Sequence, residues 1–143
     1  MTTAVPTERN TELVVRFFGL LDDHQFDEAL ALLLPDYQLH FSGQQMNRAQ
    51  MNEMVRSVYL SFNDLVHDIQ ETFALGDRVI IRAVIRATHT GDFEGIAPTG
   101  RPIAVGQIAI VRVTDDLIAE IREESDMLML MQQIGALPAP AAS

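Results

Sequence analysis

Glu123 is the residue around which chemistry can be built in this chain. It shares alternate positions with Leu117, Ala119 and Ile121, so in an extended strand its carboxyl points with three apolar side chains, while Glu120, Arg122 and Glu124 point the other way. A carboxyl among apolar groups titrates above its ordinary range, which suits it to general acid/base work near neutral pH. The plainer alternative is a carboxylate at a strand end, solvated or paired with an Arg. Gln107 stands between Val105 and Ala109, where its amide can donate to a ligand carbonyl or satisfy buried backbone groups. Glu71 follows Leu65, His67 and Ile69 in the same count and is a second inward acid, placed for substrate contact. His89 ends the inward face of its strand and either moves protons or fixes the following loop. His40 alternates against Tyr37, Leu39 and Phe41; it is a candidate pocket residue, whereas His67 reads as core or interface. Asp126 would cap a helix, and three residues from Glu123 it could also raise that carboxyl by like-charge repulsion.

The composition removes whole classes of chemistry. Of 143 residues none is Cys, which excludes thiol nucleophiles, disulfides and cysteine metal sites. All 10 basic residues are Arg, so no Schiff-base lysine and no P-loop lysine exist. His24, His40, His67 and His89 are isolated in sequence and form no metal-binding spacing, and no Ser sits in a nucleophile elbow. The net charge of −10, with singly scattered Arg residues, opposes nucleic-acid binding. Neither a signal peptide nor a run of the ~20 apolar residues a spanning helix needs is evident. The expectation is a cytoplasmic protein without nucleic-acid or membrane partners.

The elements that must position these residues follow from periodicity. Thr7 reads as the N-cap of a helix carrying Leu13, Val14, Phe17, Phe18 and Leu21 at helical spacing. Asp22-Asp23-His24 interrupts it, and Phe26 to Leu34 reads as a second helix stopped by Pro35. Tyr37, Leu39 and Phe41 make a short strand ending at Ser42-Gly43, and about Asn47 to Leu60 is helical again. Beyond Asn63-Asp64 the period becomes two. Leu65 to Leu75, Val79 to His89, Ile103 to Val113 and Leu117 to Glu123 are four strands, turning at Gly76-Asp77, the Gly91–Pro102 loop and Thr114-Asp115-Asp116. Met127 to Ile134 is a final helix, and Pro138 to Ser143 a mobile tail. Helices followed by hairpin-linked strands indicate one α+β domain over 1–143, its ordered core about 7–135, with an antiparallel sheet curled over helices into a cone-shaped cavity.

The loop His89-Thr90-Gly91-Asp92-Phe93-Glu94-Gly95-Ile96-Ala97-Pro98-Thr99-Gly100-Arg101-Pro102 resembles the signature of the SnoaL-like polyketide cyclases, a branch of the nuclear transport factor 2-like superfamily. Ile118, Glu120, Asp126, Leu128, Leu130 and Gln132-Gln133-Ile134-Gly135 resemble the family's closing pattern, and the likeness runs from about Glu12 to Gly135. It implies a nuclear transport factor 2-like, cystatin-like α+β barrel: a strongly curved antiparallel sheet wrapped on N-terminal helices. Cyclases of this family use an Asp on the last strand as acid/base in an intramolecular aldol closure, and Glu123 occupies that position. The family's preceding strand carries a Gln and, two residues on, a His; here these are Gln107 and Ala109.

The expected function is therefore cofactor-independent cyclase or isomerase chemistry on an apolar carbonyl compound. Glu123, Asp126 and His89 are its catalytic candidates, and Gln107, His40 and Glu71 its substrate contacts. A base, enolate donors and an acid suffice for aldol closure, so neither metal nor cofactor is expected. Two alternatives share the scaffold: a ligand-binding protein without catalysis, and a hydrolase using an Asp-Arg-Asp relay, for which the inward faces offer no Arg. Ile80, Val84, Thr88, Ala104, Ile108 and Ile110 leave the outward sheet face apolar between Arg78, Arg82 and Arg86, which predicts a homodimer through the sheet.

Overall fold

The computed structural model describes residues 6–141. Helix α1 (Pro6–Asp22) buries Val14, Phe17, Phe18 and Leu21, its predicted apolar stripe. It begins at Pro6, whose missing N–H costs nothing in a first turn; Thr7 lies inside the helix and its carbonyl accepts from Thr11 Oγ1 at 2.9 Å. Helix α2 is only Phe26–Leu30. The expected helix to Leu34 does not form, because the chain turns extended at Leu33.

Strand β1 (Leu33–Phe41) thus includes Pro35. Leu33 pairs with Ile118 and Gln38 with Glu120, so three residues are looped out of register between them. Pro35 lies in that irregular stretch, where no ladder N–H is required of it. Ser42 (φ 49°) and Gly43 (φ 79°) turn the chain into an unforeseen strand, β2 (Gln44–Asn47). Asn47 then caps α3 (Arg48–Ser61), accepting from the Gln50 backbone while the Gln50 side chain accepts from its own.

The remaining strands are β3 (Val66–Leu75), β4 (Arg78–Thr88), β5 (Pro102–Thr114) and β6 (Leu117–Ser125), followed by α4 (Met127–Gln133). The sheet has six strands in the order β2-β1-β6-β5-β4-β3. It is mixed rather than antiparallel, since β1 runs parallel to β6 while every other pair is antiparallel. The α+β class stands, with an open sheet in place of a closed barrel.

Helix α1 lies over β3 and β4, α3 over β1 and β2, and α4 against β5. The covered face is supplied by Val79, Ile81, Ala83 and Ala87 on β4 and by Ile103, Val105, Ala109, Val111 and Val113 on β5, all buried. Their period is unbroken. On β6 it breaks at Ala119: Val113 pairs with Ile118 and Arg112 with Glu120, so Ile118 is buried where Leu117 was expected. No helix among the described residues is long and apolar enough to cross a membrane. Of the expected mobile tail, Pro138 to Ala141 carry no regular structure, and residues 142–143 lie outside the described chain.

The two signature stretches have structural tasks. Gly91 and Thr90 donate their backbone N–H groups to the Ser61 carbonyl at 3.0 and 2.9 Å, and a Cβ on Gly91 would lie 2.2 Å from the Leu60 carbonyl oxygen. Only glycine fits. At the other end, Gln133 bonds both backbone groups of Ala104, its Oε1 accepting at 2.8 Å and its Nε2 donating at 3.0 Å. It thereby closes the edge of β5 beyond the point where β6 leaves the ladder.

Candidate active site

A cavity of about 350 Å³ lies between the helices and the covered face of the sheet. Its wall is mostly apolar, with Phe18 and Leu21 from α1, Leu39 from β1, Met54 and Val58 from α3 and Leu130 from α4. Into this wall the fold sets Glu123, His67, Gln107, Tyr37 and Tyr59.

Glu123 is placed by its strand partners: it pairs with Ala109 on β5 and with Phe41 on β1, so its side chain takes the covered face. The surface it retains belongs to the cavity wall. Burial in the apolar wall pushes its carboxyl from 4.5 up to about 7; Coulombic attraction to His67, when that ring is protonated, opposes the rise, and the nearby Glu124 adds to it. The titration of Glu123 is thus moved close to neutral pH.

Gln107 is 3% exposed and pairs across the ladder with Ser125. Its Oε1 is buried without a hydrogen-bond partner among the described residues. Such a group is costly unless something else bonds it, and rotating the amide by half a turn presents a donor at the same point.

His67 is the residue that periodicity undervalued. Its Nδ1 lies 2.8 Å from Asp22 Oδ1, and its backbone N–H donates to Asp22 Oδ2 at 2.8 Å. Tyr59 donates its hydroxyl to the same Oδ1 at 2.7 Å. With Asp22 ionised, Nδ1 carries the proton and Nε2 is the ring nitrogen left for a ligand. The three residues come from the end of α1, from α3 and from β3. No local pattern joins them; the one legible hint was His67 sharing a face with Leu65 and Ile69. Tyr37, 1% exposed, is a further phenol in the wall, and burial together with the Glu123 charge pushes both tyrosines well above their ordinary range, with Asp22 adding to the effect at Tyr59.

Four predicted site residues lie elsewhere. Glu71 is turned outward by a bulge: Ile69 pairs with Ala83 but Glu71 with Arg82, so Gln70 is an extra residue and the face switches. Its carboxylate meets the Arg82 guanidinium at 3.0 Å. His40 keeps the opposite parity from buried Tyr37 and Leu39 and sits 3.4 Å from Glu120. His89 is fully buried but outside the cavity wall; its Nδ1 accepts from the Thr99 backbone at 3.2 Å, and its own N–H and carbonyl bond Arg101 and Gly100. It closes the signature loop. Asp126 is exposed and accepts from the Met129 backbone at 3.0 Å, capping α4. Among the described residues no group of three or more His, Asp or Glu is placed to hold a metal ion.

A cavity with an acid, an imidazole and an amide in an apolar wall bears comparison with known proteins. No curated protein matches this chain in sequence. Among solved structures, IdmH of Streptomyces antibioticus, described as a candidate polyketide cyclase, is 26% identical over 88% of this chain and 98% of its own, with a TM-score of 0.80. AclR of Streptomyces galilaeus, described as a candidate hydroxylase, superposes with a TM-score of 0.88 at 22% identity, over 94% of this chain and 86% of its own. TsrD of Streptomyces laurentii gives 0.81 at 24% identity, over 94% of this chain and all of its own. These last two likenesses speak for the fold alone. In sequence, the family model for the SnoaL-like polyketide cyclases matches residues 12–134, which takes in the first signature stretch, the second up to Ile134, the whole cavity wall and the strand that carries Glu123. On that match the chain belongs to the SnoaL-like polyketide cyclase family.

Proposed function

We propose that the protein is a cyclase that takes a proton from a carbon beside a carbonyl and closes a ring by aldol addition on a neutral, polyketide-like compound. The observation that carries this reading is the Glu123 carboxyl in the wall of an apolar cavity, raised to about 7. As a carboxylate it accepts the proton, and as the acid it returns that proton to the oxygen of the attacked carbonyl. Gln107, with an unpartnered amide in the same wall, holds the enolate oxygen. Among the described residues no Arg lines the cavity, so a ligand bearing a phosphate or free carboxylate would enter unneutralised, and a neutral one is favoured. The same absence weighs against the hydrolase alternative, whose relay sets an Arg between two acids.

The test is α-proton exchange in D2O with a panel of neutral polyketide esters, run on the native protein and on Glu123→Gln. Exchange by the native protein alone supports the cyclase. Equal binding by both, with no exchange or turnover by either, makes the protein a ligand carrier.

We also propose pairing of two copies through the outer sheet face. Ile108 (52% exposed), Phe73 (58%) and Ile110 (39%) form its apolar part. Arg82–Glu71 and Arg86–Asp68 pairs border them, and a face carrying both signs can oppose its own copy about a two-fold axis. Light scattering at micromolar concentration decides between dimer and monomer.

A further inference from the structure

Ring closure by Glu123 needs one proton shuttle, yet the cavity holds two groups able to carry protons. His67 reaches the wall from β3, with Nδ1 fixed by Asp22 at 2.8 Å and Asp22 fixed in turn by Tyr59 at 2.7 Å. Such support sets one tautomer and stabilises the imidazolium formed when Nε2 takes a proton. For closure alone it is redundant. Aldol addition, however, leaves a hydroxyl on the carbon β to a carbonyl. Loss of that hydroxyl as water requires a base at the α-carbon and an acid at the departing oxygen, on different atoms.

We propose that the site has a second activity, elimination of water from the β-hydroxy carbonyl adduct, with His67 Nε2 as base and the Glu123 carboxyl as acid. The proposal rests on the cyclase reading, since closure supplies the adduct. The α C–H bond breaks and its proton passes to Nε2. Its electron pair forms the new C=C bond, and the β C–O bond breaks with its pair going to oxygen. That oxygen takes the Glu123 proton and leaves as water. The imidazolium and carboxylate then exchange one proton through solvent, so a β-hydroxy ketone becomes an enone plus water with no oxidant or reductant. Titration of Glu123 near neutrality leaves part of the protein with that carboxyl protonated, as the step requires. Asp22 and Tyr59 are positioning residues.

The probe is 3-hydroxy-1-tetralone, a neutral bicyclic β-hydroxy ketone whose dehydration product tautomerises to fluorescent 1-naphthol. In parallel, 1-tetralone in D2O reports deuterium uptake at its α-carbon, the closure half-reaction. The full-length native protein is expected to accelerate both. His67→Gln should lower naphthol formation by about 100-fold or more while slowing deuterium uptake by less than about 10-fold. Asp22→Asn should follow His67→Gln, and because an amide cannot replace both carboxylate oxygens as acceptors, its rates are compared on protein shown by circular dichroism to be folded. Deuterium uptake without naphthol by the native protein overturns the elimination and leaves the cyclase reading standing. Absence of both overturns the cyclase reading and the elimination with it. Equal losses of both rates in His67→Gln overturn the assignment of His67 as the elimination base.

Discussion

Asp22 Oδ1 lies 2.8 Å from His67 Nδ1 and also accepts the Tyr59 hydroxyl at 2.7 Å, so one carboxylate oxygen orients an imidazole and a phenol on the same cavity. Replacing Asp22 by Asn removes the charge that favours the imidazolium while keeping an oxygen for Tyr59. Turnover of the β-hydroxy ketone should fall by roughly 10²–10⁴-fold, and the urea midpoint should drop as well, since one of the acceptors shared by Tyr59, His67 Nδ1 and the His67 backbone N–H is lost. Steady-state fluorescence and a denaturation curve on the same sample check both halves.

Glu123 makes stability depend on pH in a definite direction. Its carboxyl titrates at about 7 in the folded chain against 4.5 in the reference state, so between those values the folded form binds more protons than the unfolded one. Stability is therefore full below about 4.5 and falls as pH rises to about 7, by at most about 3 kcal/mol, staying lower above it. Subtracting the urea-unfolding profile of Glu123→Gln should isolate this slope. A difference that stays flat from pH 4.5 to 8 would place the carboxyl in bulk water.

Gly91→Ala forces a methyl to within 2.2 Å of the Leu60 carbonyl oxygen. The two amides held by Ser61 must then shift, carrying Phe93 of the cavity wall with them. A loss of about 1–3 kcal/mol is expected from calorimetry, together with weaker ligand binding.

Gln133→Ala removes two hydrogen bonds from the open edge at Ala104. Each is worth roughly 0.5–1.5 kcal/mol. Faster amide exchange at Ala104, with the β4–β5 amides unaffected, would show that this glutamine closes the edge.

Ile108→Glu sets a carboxylate in the middle of the outer apolar face, on the side of β5 opposite the cavity. Light scattering should change from a dimeric to a monomeric mass while deuterium uptake from the α-carbon persists. A native protein that is already monomeric at micromolar concentration removes the pairing proposal.

Much of the covered face is legible in the sequence, and the reason lies in β4 and β5. Their alternation runs unbroken from Val79 to Ala87 and from Ile103 to Val113, and a period of two states which face each side chain takes. On that ground Gln107 takes the covered face, and His89 stands at the end of its strand, where its bonds hold the loop. Glu123 was also placed correctly, although the count behind it passed through the Ala119 irregularity. Ile118 in place of Leu117 shows the slip.

The strands interrupted by an extra residue were not legible. At Gln70 one unpaired residue sends Glu71 to Arg82 and exposes Phe73 and Leu75, all three expected inside. Nothing in the local pattern marks that residue, because a bulge is decided by the partner strand.

The amino-acid order by itself determined the α+β class, the inward acid on the last strand, the inward amide on the strand before it and the exclusion of thiol and lysine chemistry, since each depends on residue type or a local period. Only the tertiary structure decided that the sheet is mixed, that Asp126, His40 and Glu71 stand away from the cavity, and that Asp22 joins Tyr59 and His67 behind its wall. Tyr59 and His67 lie 37 and 45 residues from Asp22, a distance over which contact is made by the packing of α1, α3 and β3 and by no periodicity of the chain.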